Sequence, residues 1–317
     1  MAANGKILAL DIGGSSIKWM IFDISNGEPE INDVVARIPV QSRDFEWLRS
    51  AVIDLIRNNV DCSVVAISTT GSVDRSQRII RSGFFDRYDG TSWKEIIADK
   101  IPSIRVFALN DGQASALAEH RTTGIPDVAT SAHFVIGTGV GGGIIIRNEL
   151  ERGGSGIAGA IGHVKVRPEE GRKCSCGSTG CVQTEASATR VRELAEQRGL
   201  FFVSGDIMSL ESIEDQDRTM LRQILTEAGH ALGIGIGSVV NTLNPQLVTV
   251  GGGLALLDRS LGNGDGPYLL GARQAAQSNS LMTTFRDVEI QYAATAGVSG
   301  CLGATYWALD CMSGKAT

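Results

Sequence analysis

The sequence predicts an α/β protein made of two related halves, each with a mostly parallel sheet covered by helices. Three observations carry this. Short apolar runs alternate with segments of helical period, the pattern of strands joined through helices. Residues 7–23 and 134–147 each read as strand, glycine-rich turn, strand. Glycine supplies 39 of 317 residues, or about 12% against a usual ~7%, and it clusters at strand ends, where bare backbone can approach a ligand. At 43% hydrophobic and 20% charged residues the chain has ample core, which excludes wholesale disorder. A net charge of −6 and a pI near 5.3 exclude a basic nucleic-acid-binding face. No apolar run reaches the ~18 residues of a membrane span. The opening MAANGKILALDIGG has no basic head before an apolar stretch, and Asp11 interrupts it. A soluble, cytoplasmic protein is therefore expected, with no membrane partner.

In order, KILALDI and SIKWMIFD are strands around Gly13-Gly14-Ser15-Ser16, and DVVARIPV is a third. Phe45, Leu48, Val52, Leu55 and Ile56 form the apolar stripe of a helix. SVVAIST and RVFALN have the composition of buried strands, and a helix begins after Asn110-Asp111. GIPDVATS, near residue 124, reads as a linker. HFVIGTG and GGGIIIRNEL form the second hairpin, followed by an irregular Gly/Cys-rich stretch at 151–187. ATRVRELAEQRG and a long segment near 217–242 are helical. QLVTVGGGLALL is strand, turn, helix; VEIQYAAT is a last strand, and 298–309 a terminal helix.

The glycine turns suggest phosphate chemistry. Asp11 with Gly13, Gly14 and Ser15 offers backbone N–H groups and a hydroxyl to a phosphate, and a carboxylate suited to water-mediated Mg²⁺. Gly137-Thr138-Gly139-Val140-Gly141-Gly142 matches G-x-G-x-x-G, but it runs into a strand. A dinucleotide fingerprint must open a helix, so a phosphate-holding hairpin remains. Gly251-Gly252-Gly253 lies between a strand and a helix and suits adenosine or an α-phosphate at a helix N-terminus; a plain tight turn is the alternative. Walker spacing is absent.

His163, Cys174, Cys176 and Cys181 form H-x10-C-x-C-x4-C, a complete tetrahedral set for structural Zn²⁺. Cys62, Cys301 and Cys311 sit among apolar residues and read as core. His120, His133 and His230 have no partner cluster and read as structural.

Taken together, LALDIGGSSIKWMIFD, ISTTGSVD, LNDGQASALAEH, IGTGVGGGIII, GIAGAIGHVKV, CSCGSTGCV, ALGIGIGSVVNTLNPQLVTVGGGL and GVSGCLGATYWAL resemble the ROK family of sugar kinases and repressors over nearly the whole chain. The resemblance implies two ribonuclease-H-like domains of actin/hexokinase type around a central cleft, with a zinc loop. The smaller domain would span 1–123, with a helix at 298–317 returning to it, and the larger would span 124–297. It implies transfer of the ATP γ-phosphate to a sugar hydroxyl in a homodimer, with Mg²⁺ and structural Zn²⁺. By motif, Asp111 matches the catalytic base. Gly71, Ser72, Asn110, Gly141, His163 and Gln183 fall at sugar-contact positions. Asp11, Gly13, Gly14, Ser15, Gly137, Thr138, Gly139, Gly252 and Gly253 fall at nucleotide positions. His163 would ligate zinc with one nitrogen and touch sugar with the other. Two positions depart. Many members have glutamate in GEIGH and GCLE where this chain has Ala160 and Gln183. That departure implies a substituted hexose rather than glucose, or a weakly catalytic sugar sensor. Glu185 reads as a solvent-facing helix start. A repressor is disfavoured, because only ten residues precede Asp11.

Overall fold

The computed structural model describes residues 5–31, 35–59, 61–200, 215–261, 264–295 and 297–315. Two compact units divide the chain: unit 1 holds 1–122, 149–159 and 297–317, and unit 2 holds 123–148 and 160–296. The segment 149–159 lies inside the second block of the sequence but packs with unit 1.

In unit 1, β1 (Gly5–Ile12) and β2 (Ser16–Ser25) form an antiparallel hairpin with Ile12 opposite Ile17. Short strands β3 (Glu28–Glu30) and β4 (Ala36–Pro39) pair the two ends of β2. On the other side of β1 lie β5 (Val64–Thr69) and β8 (Arg105–Asn110), both parallel to it. Strands β6 (Ser72–Val73) and β7 (Ile79–Arg81) make a separate small ladder. Helix α1 (Phe45–Arg57) is capped by Asp44 and buries Leu48, Val52 and Ile56 on one face of the sheet. Helix α2 (Trp93–Lys100), which the sequence pattern did not reveal, adds Trp93 and Ile97 to that core.

After β8 the chain enters α3 (Asp111–Thr122), which is buried from Gly112 to His120. Small residues on all sides let α10 (Ser299–Ser313) cross it closely. A side chain at Gly303 would lie 1.7 Å from the Ala114 carbonyl oxygen, so that crossing admits only glycine. Strand β11 (Glu149–Leu150) also belongs to unit 1 and contacts α3.

Unit 2 repeats the plan. Strands β9 (Ser131–Ile136) and β10 (Val140–Ile146) form the hairpin, and β12 (Leu247–Gly251) and β13 (Glu289–Tyr292) continue the sheet parallel to β9. Its helices are α4 (Val182–Ala186), α5 (Ala188–Gln197), α6 (Asp215–Leu243), α7 (Gly253–Ser260), α8 (Pro267–Ser278) and α9 (Met282–Phe285). Added side chains at Gly229 and Gly233 of α6 would lie 2.1 and 2.2 Å from the Tyr268 and Ala272 carbonyls of α8. Part of the glycine excess therefore serves helix packing rather than ligand approach. Among the described residues, no helix is long and apolar enough to cross a membrane.

Candidate active site

In unit 1, the Gly13–Ser15 turn closes the β1–β2 hairpin, with Gly13 N–H donating to the Ser16 carbonyl at 3.0 Å. Asp11 stands just before it. Its Oδ1 accepts from Ser68 Oγ at 2.8 Å, and its Oδ2 meets Lys18 Nζ at 3.2 Å. Gly300, in the first turn of α10, lies so close that an added Cβ would sit 2.5 Å from the Asp11 carboxyl. That turn directs its N-terminal dipole at a carboxylate, a favourable arrangement.

The end of β8 sets the second carboxylate. Asn110 Oδ1 accepts from the backbone N–H of Gly112 (3.0 Å) and Gln113 (3.2 Å), and so caps α3. Its Nδ2 donates to the Gly71 carbonyl at 2.8 Å, tying down the turn that precedes Ser72. Gly71 has φ +97°, and a Cβ there would strike the Arg81 carbonyl at 2.7 Å. Beneath this turn the Tyr88 hydroxyl accepts from Trp93 Nε1 at 2.7 Å and bonds Thr69 Oγ1 at 2.6 Å.

With Asn110 doing the capping, Asp111 occupies the first helical position. Its Oδ1 accepts from Asn110 Nδ2 (2.9 Å) and Gly112 N–H (2.8 Å). Burial, followed by the nearby Asp11 charge, pushes its carboxyl up to about 7. A carboxylate in that range accepts a proton far better than an ordinary one near neutral pH.

Unit 2 carries the other residues singled out from the sequence. Gly252 has φ +90°, and a Cβ there would strike the backbone of Ile136, just before Gly137. The open groove beside it is lined by Gly251, Gly252, Ala255, Leu256, Arg259 and Tyr292, with the Arg259 guanidinium 5.9 Å from the Tyr292 ring centroid. Gly253 opens α7. In the next loop Gly137 N–H donates to the Gly139 carbonyl (2.9 Å). Its own carbonyl accepts from Ala188 N–H (2.9 Å), and that of Thr138 accepts from Thr189 Oγ1 (2.8 Å). Gly141 follows in β10, opposite Val135.

A 3₁₀ turn at Ile161–His163 places the histidine. An added side chain at Gly162 would lie 1.8 Å from the Val140 carbonyl, so glycine alone allows this turn to lie on β10. The ligand atoms of His163, Cys174, Cys176 and Cys181 all fall within 4.8 Å of one another. Cys176 Sγ to Cys181 Sγ is 3.7 Å, and Cys174 Sγ to His163 Nδ1 is 3.5 Å. Tetrahedral zinc with its usual bond lengths needs edges of about 3.8 Å for S···S and about 3.6 Å for S···N. The donor set therefore fits Zn²⁺, which would supply a fixed cross-link. Lys165 Nζ donates to Cys181 Sγ at 2.9 Å, a cation that offsets surplus thiolate charge.

Three sequence expectations need correction. Glu185 is not solvent-facing: it is 5% exposed and accepts from the Arg172 backbone N–H at 2.9 Å, anchoring the cysteine loop to α4. Cys311 is only partly buried, unlike Cys62 and Cys301, because it lies in the last turns of α10. His230 is exposed on α6, whereas His120 and His133 are buried. Sequence reasoning also missed Lys18, whose signal was available: a three-residue turn at 13–15 puts it opposite Asp11. It missed Phe84 too, whose ring lies against Gly14; a residue 70 positions away leaves no local signal.

The ROK family model matches residues 7–310. The chain belongs to that ROK family. A glucokinase from Halalkalibacterium halodurans is 27% identical over 276 residues, covering 78% of this chain and 80% of the relative. An N-acetylmannosamine kinase from Pasteurella multocida is 28% identical over 311 residues, 97% of each chain. Xylose repressors are also among the ROK relatives. A ROK glucokinase from Streptomyces griseus, solved with glucose and AMPPNP, superposes with a TM-score of 0.76 at 24% identity over 95% of this chain and 98% of its own. This likeness shows the α/β fold of ROK hexokinase type.

Proposed function

We propose that this ROK protein is an ATP-dependent sugar kinase that uses Asp111 as general base. One observation carries the reading: Asp111 is held by Asn110 and Gly112 at the start of α3, with its carboxyl pushed up to about 7 by burial and by Asp11. A group that is neither titrating near neutrality nor oriented would do little for hydroxyl activation. Here both conditions hold. Phosphoryl transfer needs charge neutralisation around the moving phosphoryl group, which Mg²⁺ supplies when bound. Asp11 is the carboxylate suited to hold that ion through water, and Lys18 beside it adds positive charge. The N–H groups of Gly14, Ser15, Thr138 and Gly139 suit phosphate oxygens, while those of Gly13 and Gly137 close the two turns by donating to the Ser16 and Gly139 carbonyls. Gly252 and Gly253 are proposed to meet the adenosine, Gly252 from the groove in which Leu256 and the Arg259–Tyr292 pair offer apolar and cationic surface.

Gly71, Ser72, Asn110, Gly141 and His163 are proposed to meet the sugar. Ala160 removes a carboxylate that many relatives carry and leaves space, which favours a hexose bearing an N-acyl or other substituent; N-acetylmannosamine kinases among the relatives support this choice. Zinc at the His163–Cys181 cluster would fix the loop that presents His163. A cytoplasmic homodimer without nucleic-acid partners completes the reading. Coupled measurement of ADP release across a sugar panel tests it: turnover on an N-acylated hexose above that on glucose is expected. Absence of ADP release from every sugar would overturn the kinase reading in favour of a sugar sensor, the second reading, which Ala160 motivates.

A further inference from the structure

The Gln183 side chain occupies the gap between the metal cluster and the Gly137–Gly139 loop. Its Nε2 lies 3.2 Å from Cys174 Sγ and 3.3 Å from Ser175 Oγ. Its Oε1 lies on the opposite side, 3.2 Å from where a side chain on Gly139 would begin. The orientation of the amide follows from chemistry. A metal-bound thiolate only accepts hydrogen bonds, so the NH₂ end must face Cys174 and the carbonyl end must face the loop. A glutamate of the same length cannot make this contact, because its carboxylate would oppose the thiolate.

We infer that Gln183 is a positioning residue of the metal cluster rather than a sugar contact, donating to the Cys174 thiolate while bracing the Gly137–Gly139 loop. The proposal rests on the zinc reading above. It makes the substitution of glutamine for glutamate a change in how the cluster is held. Hydrogen bonds to metal ligands fix ligand orientation, and their loss typically costs about 10–100-fold in metal affinity. The contact also joins two segments of different use. The amide that steadies Cys174 also lies beside Gly139, in the loop that is proposed to hold phosphates.

The test is zinc release from the full-length, zinc-loaded protein to an excess of a chelating dye at neutral pH. Thermal transitions check that each variant is folded. Gln183→Met keeps the length and removes the donor, and release about tenfold faster is expected. Gln183→Glu adds repulsion and should release faster still. Gln183→Asn keeps an amide but draws it back from Cys174 by one methylene, so it should also hasten release; it keeps the proposal testable if the methionine and glutamate variants do not fold. Release at the wild-type rate in Gln183→Met or Gln183→Glu overturns the proposal, even if the sugar KM changes. Wild-type protein that retains no zinc overturns the zinc reading and this proposal together. The expected order of release in a protein that phosphorylates no sugar supports this role while removing the kinase reading.

Discussion

Replacing Asp111 by Asn should stabilise the protein at alkaline pH while sharply lowering the proposed kinase activity. The native carboxyl is pushed up to about 7 from an ordinary 3.8. Below the lower value both folded and unfolded chains are protonated, and the group contributes nothing. As pH rises from about 4 to 7 the unfolded state has already lost its proton, whereas the native state still holds one, so stability falls with pH. Above 7 the native carboxylate is ionised and the penalty is complete. A shift of that size corresponds to at most about 4 kcal/mol at about 1.4 kcal/mol per unit, and screening at a partly exposed site reduces this to about 2 kcal/mol. Asparagine retains Oδ1, and with it the bonds from Asn110 Nδ2 and Gly112 N–H, so the fold loses no acceptor. For a unit of this size, about 2 kcal/mol raises Tm by roughly 4–8 °C. Calorimetry of wild type and Asp111→Asn at pH 5 and pH 8 should show the gain mainly at pH 8. At the same time kcat should fall at least about 100-fold, the lower end of general-base contributions. An Asp111→Asn protein that is no more stable at pH 8 than wild type, or whose advantage is the same at both pH values, would refute the argument that burial raises this carboxyl.

If Asp111 acts as the proposed base, kcat/KM of the wild type falls tenfold per pH unit below about 7, because the carboxyl must be unprotonated to accept the hydroxyl proton; a flat profile from pH 5 to 8 would contradict it. Cys176→Ser should abolish stoichiometric zinc by elemental analysis and raise the sugar KM, since binding at such a loop is also folding energy. Gly303→Ala should lower stability by about 3 kcal/mol in denaturant titration, because α10 must move off the Ala114 carbonyl. Gly154→Ala, with nothing within 4 Å of the added carbon, should be neutral. Equal effects from the two would mean that α3 and α10 do not cross as closely as described.

Much was legible in the sequence alone. The two hairpins, the strand-to-helix turn at Gly252 and the α/β class follow from local alternation and from glycine at strand ends. The metal cluster was legible because three of its four ligands lie within eight residues, so short-range geometry brings them together. Asn110 and Asp111 are adjacent, yet the division of labour between them is not in their spacing. Either can cap a helix, and only the chain path into α3 decides that Asn110 does so and leaves Asp111 at the first helical position. The packing glycines of α6 and α10 look like those of a ligand loop until the opposing carbonyls of α8 and α3 are in place. Glu185 and Gln183 are polar residues near a helix start, a pattern that ordinarily faces solvent. Tertiary structure turns one inward to the Arg172 amide and the other to the Cys174 sulfur. The raised Asp111 carboxyl depends on burial and on Asp11, 100 residues earlier. Sequence determines what each residue can donate, accept or exclude; which partner it meets depends on packing between segments distant in the chain.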